Sequence, residues 1–309
     1  LASPWLNVFA DTAATRKEKC RLAVIGPGSR GRFLMSFLVQ NPRVEIVALH
    51  DIYQPSIDEA LKLAPQAKVY SDYRKLLEDK NIYAVVVAVP LNKHYQIVMD
   101  AFDAGKHVFC EKPVALTLGE IYQVEEALKG TNLKYQVGFN QRMDESFGAI
   151  RTAIEDGTVG DPYLVRITSR DPAPPPVSYI KTSGGLFLDM TIHDFDMVRF
   201  MSGSEVEEVF AYGAVRVDPA IGEAGDIDTA VISMKLANGA IAVIDNCRRA
   251  SYGYDQRVEA FGSLGQVAIG NDSESTAVIS DANGVRGEVP LNFFLERYMG
   301  AYVEEISEF

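Results

Sequence analysis

The 309-residue chain has only three cysteines, Cys20, Cys110 and Cys247. They are too few and too far apart for a disulfide framework or a thiolate zinc site, so they read as structural thiols. No run of about eighteen apolar residues occurs, which excludes an ordinary membrane-spanning helix. A basic cluster is missing as well. Lys and Arg number 30 against 42 Asp and Glu, and a net charge of −12 repels phosphate backbones and anionic lipid. Neither nucleic acid nor a membrane is therefore an expected partner. Internal repeats and low-complexity segments are also lacking, apart from Pro172-Ala173-Pro174-Pro175-Pro176, read as a stiff loop at the mouth of a pocket.

What is present is a globular composition. With 47% hydrophobic and 23% charged residues the chain can bury a sizeable core, and disorder is not a serious reading. The length exceeds that of one small domain. The expected division is an N-terminal extension over 1–19, a nucleotide-binding domain over 20–140 and a second domain over 141–309. The extension carries a short apolar piece, Trp5 to Ala10, followed by a polar and basic stretch. It reads either as the remnant of a processed export signal or as a packing arm, so the cytoplasm is the expected compartment and export the alternative.

From Cys20 to Val137, short β-branched runs alternate with stretches of helical periodicity, the pattern of βαβ units around a parallel sheet. Expected strands are 20–25, 44–49, 84–89, 107–110 and 134–137, with helices after Gly31 and over 57–63, 73–77, 94–104 and 117–128. After about Arg142 the pattern changes. A helix over 147–155 precedes a strand at 163–169, the proline loop and a helix over 185–201. Strands at 206–215, 230–236, 240–247, 254–260 and 266–269 then follow at short spacing, and Asn238-Gly239 is a strong two-residue hairpin turn. This half is expected to be α+β on an open, mostly antiparallel sheet. One face of that sheet is left for a partner, and a homodimer or homotetramer is expected.

The chemistry begins at Gly26-Pro27-Gly28-Ser29-Arg30-Gly31, between the first strand and its helix, with Asp51 closing the second strand twenty residues after Gly31. Gly26 permits the tight turn, Gly28 lets backbone approach a pyrophosphate, and Gly31 lets the helix pack closely. Ser29 and Arg30 open the helix, where free N–H groups and the dipole favour an anion. Asp51 can accept both adenosine ribose hydroxyls and repels a 2′-phosphate, so NAD is the expected cofactor.

Further on stand Val89-Pro90-Leu91-Asn92-Lys93-His94, Glu111-Lys112-Pro113, Val137-Gly138-Phe139-Asn140-Gln141-Arg142 and Gly184 to Asp196. With these segments the sequence resembles the glucose-fructose oxidoreductase, inositol dehydrogenase and MocA-like (Gfo/Idh/MocA) family from about residue 20 to the end. The inositol dehydrogenase branch is the nearest in look, through Arg170-Asp171-Pro172, Asp189 to Asp196 and Tyr252-Gly253-Tyr254-Asp255. The resemblance implies oxidation of a secondary hydroxyl on a cyclic polyol or sugar. It also implies that Glu111-Lys112-Pro113, often with a cis proline bond, shapes the nicotinamide pocket, with Pro90, Asn92 and His94 beside it. Asn140, Asp171 and Tyr254 then correspond to family positions lining the polyol pocket, with Gln141 and Tyr252 weaker candidates, and His50 and His107 look structural. Family members continue past a position like Phe309 with another helix, so a longer chain is expected.

Physically, Lys112 ends a strand at the carboxyl edge of a parallel sheet, where an ammonium can donate to the substrate oxygen and stabilise charge on it. Asp189 and His193, four apart on one helical face, pair a carboxylate with an imidazole able to accept an alcohol proton, and the family resemblance gives them the same role. Asp196 could extend the pair toward a metal site, but spacing marks no further ligand and no metal is expected. Two other functions compete: a glycoside hydrolase of the same family that uses bound NAD for transient oxidation, and a non-enzymatic nucleotide-binding regulator.

Overall fold

The computed structural model describes residues 19–282 and 284–309; residues 1–18, most of the expected extension, lie outside them. The chain divides into two units. The first ends at Gly138 and takes in Phe309, and the second runs from Phe139 to Glu308, so Asn140 falls in the second unit rather than at the end of the first.

In the first unit, strands β1 (Cys20–Ile25), β2 (Val44–His50), β3 (Lys68–Val69), β4 (Ala84–Val87), β5 (His107–Cys110) and β6 (Tyr135–Val137) form one parallel sheet in the order β3-β2-β1-β4-β5-β6. All four residues of β4 and the last four of β1 are buried. A strand covered on both faces needs a continuous apolar run rather than an alternating one, which is what Ala-Val-Val-Val provides. Val85, Val87, Ile97, Val98, Phe102, Val108 and Cys110 pack into the core beside the sheet. Each buried Val, Leu or Phe contributes about 1.5–3 kcal/mol, so the strands carry the stability and the loops at their carboxyl ends are free to be shaped for binding. The helix Leu118–Leu128 starts on a reciprocal capping box: Thr117 Oγ1 accepts from Glu120 N, and Glu120 accepts from Thr117 N. Two expected structural histidines have that character, His50 Nδ1 lying 2.9 Å from the Tyr70 carbonyl and His107 Nδ1 accepting from Lys134 N at 2.8 Å.

The second unit is α+β. Strands β7 (Pro162–Arg170), β8 (Val206–Ala214), β9 (Thr229–Leu236), β10 (Ile241–Cys247), β11 (Asp255–Gly262) and β12 (Gln266–Ile269) form a sheet in the order β12-β11-β7-β10-β9-β8. Its pairs are antiparallel except β7 with β10, which run parallel. The Asn238-Gly239 turn joins β9 to β10 with Gly239 at φ 90°, a value that suits glycine. Alternation along β9 and β10 buries Ala230, Ile232, Met234, Leu236, Ala242, Ile244 and Asn246 on one face, and the helices Glu145–Glu155 and Ile192–Ser202 pack on that side. Sequence pattern did not reveal the short helix Val177–Ser183 that follows the proline loop, nor the exposed hairpin Val278–Asp281 and Gly284–Gly287.

Candidate active site

In the first unit every residue expected at the cofactor follows the carboxyl end of β1, β2, β4 or β5. Such an edge, at the point where strand order reverses between β1 and β4, is where open α/β sheets bind ligands. The glycines fit the group they are expected to hold. Gly26 has φ 87°, and a Cβ there would lie 2.6 Å from the Ala88 carbonyl oxygen. A Cβ on Gly31 would lie 2.3 Å from the Gly26 carbonyl oxygen, so helix and turn meet only because side chains are missing. Gly28 differs, since nothing stands within 4 Å of its would-be Cβ. It caps the helix Ser29–Leu38 without any side-chain cap, leaving the first N–H groups and open space for a pyrophosphate.

The surrounding residues fall into exposed and anchoring sets. Ser29, Pro90 and Asn92 are exposed and Asp51 half-buried. Asp51 Oδ1 accepts from Tyr53 N at 2.8 Å, a local turn contact that leaves Oδ2 for a ribose hydroxyl. Arg30 Nε donates to Glu111 Oε1 at 2.5 Å, and Gly138 makes room for that carboxylate, because a Cβ there would stand 3.1 Å from Glu111 Oε2. The Lys112–Pro113 bond is cis. His94 is 2% exposed, with Nδ1 at 2.7 Å from the Pro113 carbonyl and Nε2 at 2.9 Å from that of Val89. The ring therefore stands between the β4 loop and the Lys112–Pro113 loop, facing a backbone carbonyl of each.

In the second unit the helical stretch bearing Asp189 and His193 is not uniform. Residues Phe187–Thr191 form a π turn that runs into the α-helix Ile192–Ser202. Single π turns inside helices recur at functional sites because they re-aim side chains, and sequence periodicity shows no trace of this one. Asp189 Oδ1 accepts from the Tyr179 hydroxyl at 2.8 Å and Oδ2 from Arg248 Nη1 at 3.2 Å. The His193 ring meets Phe139 edge to face at 6.0 Å between centroids. Asp196 is engaged elsewhere, forked by Arg142 with Nε at 2.7 Å and Nη2 at 2.5 Å.

Behind His193 lies a buried polar network. Asp194 is wholly buried, accepting from Asn246 Nδ2 at 2.8 Å and from Gln256 Nε2 at 3.4 Å, and Thr191 donates to Asn246 Oδ1 at 2.5 Å. Desolvation pushes the Asp194 carboxyl up to about 7; the two amides oppose the shift, while Asp171 and Asp245 reinforce it. Tyr254 is buried among Phe293, Phe294 and Tyr298, its hydroxyl donating to Gln256 Oε1 at 3.2 Å. Asn140 is 3% exposed, and its Nδ2 has no hydrogen-bond partner among the described residues. Of the weaker candidates, Gln141 donates to the Tyr298 hydroxyl, and the Tyr252 hydroxyl donates to Asp255. Sequence reading missed Tyr179, Asp226 and Arg248, which nothing local marks. Asp194 had a signal: it falls on the buried stripe Met190, Asp194, Met197, Val198 and Met201, where a carboxylate is out of place.

Two family models match the chain. Residues 20–139 fit the oxidoreductase family with an NAD-binding Rossmann fold, and residues 147–268 fit the GFO/IDH/MocA C-terminal domain. The chain belongs to the Gfo/Idh/MocA oxidoreductase family. Its first unit is an NAD-binding Rossmann domain, and as a family member it is an NAD-dependent oxidoreductase. The myo-inositol 2-dehydrogenase of Thermotoga maritima is 47% identical over 94% of this chain and 86% of its own length. The inositol 2-dehydrogenase of Rhizobium meliloti is 41% identical over 94% of this chain and 87% of its own. A crystal structure of scyllo-inositol dehydrogenase from Lactobacillus casei with bound NAD(H) and scyllo-inositol superposes with a TM-score of 0.87 at 29% identity, covering 94% of this chain and 88% of that one. Among the described residues no helix is long and apolar enough to cross a membrane.

Proposed function

We propose that this chain oxidises one secondary hydroxyl of an inositol or closely related cyclic polyol. The observation that carries the reading is the Asp189 and His193 pair, four residues apart on one helical segment of a unit whose relatives are inositol dehydrogenases. His193 accepts the hydroxyl proton, and Asp189 orients the ring and stabilises its cationic form. Lys112 donates to the reacting oxygen and stabilises charge on it. Bound NAD⁺ supplies the hydride acceptor, so the carbon loses one hydride, the oxygen one proton, and a ketone results. Gly26, Gly28, Ser29, Arg30 and Gly31 hold the pyrophosphate, Asp51 the ribose, and Pro90, Asn92 and Glu111 the nicotinamide side, with His94 between the two loops. Asn140, Asp171 and Tyr254 serve the other hydroxyls, the orphan Asn140 Nδ2 being the clearest donor for one.

The cytoplasm is the proposed compartment, in keeping with three cysteines that form no disulfide among the described residues. A homodimer or homotetramer is the proposed assembly, supported by Phe210, Tyr212, Val231 and Ile241 exposed on β8, β9 and β10. Light scattering at micromolar concentration checks it, and a monomer there contradicts it. Incubation with NAD⁺ and a panel of inositols, aldoses and simple glycosides, followed by absorbance of the reduced nicotinamide and assay of released sugar, tests the reaction. Stoichiometric reduction with an inositol is expected. Cleaved glycoside without net cofactor reduction would point to the hydrolase, and NAD binding without turnover of any panel member to the regulator.

A further inference from the structure

Arg248 follows the end of β10 and is 1% exposed, among the largest fully buried side chains of the protein. A guanidinium does not give up its proton, so its burial is tolerated only with anionic partners. It has two. Nη1 lies 3.2 Å from Asp189 Oδ2, and Nη2 lies 3.7 Å from Asp226 Oδ2. Asp226 in turn accepts from Leu186 N at 3.0 Å through Oδ1, pinning the start of the helical stretch that carries Asp189 and His193. Gly185, at φ 78°, leaves space for that contact, since a Cβ there would stand 2.7 Å from Asp226 Oδ1. With Tyr179 on Oδ1, both oxygens of Asp189 are held, from segments 10 and 59 residues away in sequence.

As a stabilising device the arrangement is poor. Arg248 Nε and Nη2 make no hydrogen bond among the described residues, nor does Asp226 Oδ2. Well-packed apolar side chains in place of such a cluster often fold as well or better. A fixed, planar cation is useful instead for setting a carboxylate in one rotamer at one distance. We propose that Arg248 is a positioning residue of the reaction: with Tyr179 it fixes the carboxylate of Asp189, and through Asp226 it fixes the turn that presents Asp189 and His193, without touching the polyol itself. The proposal rests on the reading that Asp189 and His193 perform the proton transfer.

The test is a double-mutant cycle of Arg248→Met and Asp189→Asn, read as kcat and KM for inositol oxidation and as NAD affinity by fluorescence titration. Arg248→Met is expected to lower kcat by about 10-fold to 10²-fold, the usual cost of a carboxylate misplaced by an ångström, with NAD affinity unchanged. Arg248→Lys, which keeps the charge but cannot span both acids, falls between the two. In the Asp189→Asn background, Arg248→Met should cost less than it does alone, because its direct route through the Asp189 carboxylate is already cut and only the one through Asp226 remains. Wild-type kcat in Arg248→Met, or losses that multiply fully in the double variant, would overturn the proposal. If Arg248→Met does not fold, Tyr179→Phe takes its place, with a smaller expected loss and the same test of non-additivity. Wild-type kcat in Asp189→Asn alone would instead sink the reading of the site, and the proposal with it.

Discussion

In the Rossmann unit, the features assigned to the cofactor come from short contiguous segments: the turn 26–31, the acid at 51, the loop 90–94 and the cis-proline loop 111–113. In the second unit, Asp189 is held by Tyr179 and Arg248, and Asp194 by Asn246 and Gln256, partners between 10 and 62 positions away in sequence. The phosphate cradle of the first site is made of backbone and of missing side chains; the second site is made of side chains brought together by the sheet. Damage should follow the same division. Backbone features fail through added atoms, and side-chain features through lost charge and hydrogen bonds.

The sharpest contrast lies within the glycine turn. Gly31→Ala places a methyl 2.3 Å from a backbone oxygen that cannot yield, and should cost NAD affinity about 10²-fold together with thermal stability. Gly28→Ala meets no protein atom within 4 Å, so its Tm should stay near wild type while NAD affinity falls, the methyl occupying room meant for phosphate. Calorimetric titration and thermal unfolding of the two variants check the pair. Wild-type NAD affinity in either variant would remove that glycine from the cradle.

A smaller effect is expected at Asp51, where one carboxylate oxygen is already committed to Tyr53 N. Asp51→Ser should weaken NAD by about 10-fold to 10²-fold, the worth of a charged hydrogen bond, and relax discrimination against NADP. Unchanged relative kcat/KM for the two cofactors would take Asp51 out of its role.

The same division explains what could be read from the sequence. The parallel order around β1 and β4, the glycine turn, Asp51 and the Asn238-Gly239 hairpin each have local signatures, because turn chemistry and periodicity act over a few residues. The parallel pairing of β7 with β10 has none, since no turn connects them. The burial of His94 between two loop carbonyls has none either, since it is set by tertiary packing. Arg248 and Asp226 reach Asp189 only after the sheet has formed.

Asp194 provides the smallest test of the side-chain half. Its carboxyl is raised to about 7 from an ordinary 3.8, so the stabilising contribution of the protonated group is complete below about 3.8 and is lost as pH rises through about 7. Asp194→Asn, which stays neutral, should therefore gain on wild type between pH 5 and pH 8. The gain across that window should be about 2–3 kcal/mol, because wild type loses roughly 1.36 kcal/mol for each pH unit until the buried carboxyl ionises, and it should be seen as several degrees in Tm. A difference in Tm that does not change with pH would place the carboxyl in its usual range. The variant also removes a second group titrating near neutrality, which matters for kinetics on His193.

The central claim is that His193 takes the alcohol proton while Lys112 only donates to the oxygen, and the pH dependence of kcat/KM for inositol oxidation tests it most directly when measured in the Asp194→Asn background. Activity should rise with pH through the imidazole titration, because only the neutral ring accepts a proton. Adding His193→Ala should abolish that inflection and lower the rate by about 10²-fold to 10⁴-fold with NAD affinity retained, whereas adding Lys112→Ala should slow the reaction and keep the inflection. An inflection that survives without His193 and disappears without Lys112 would contradict the account and make Lys112 the base.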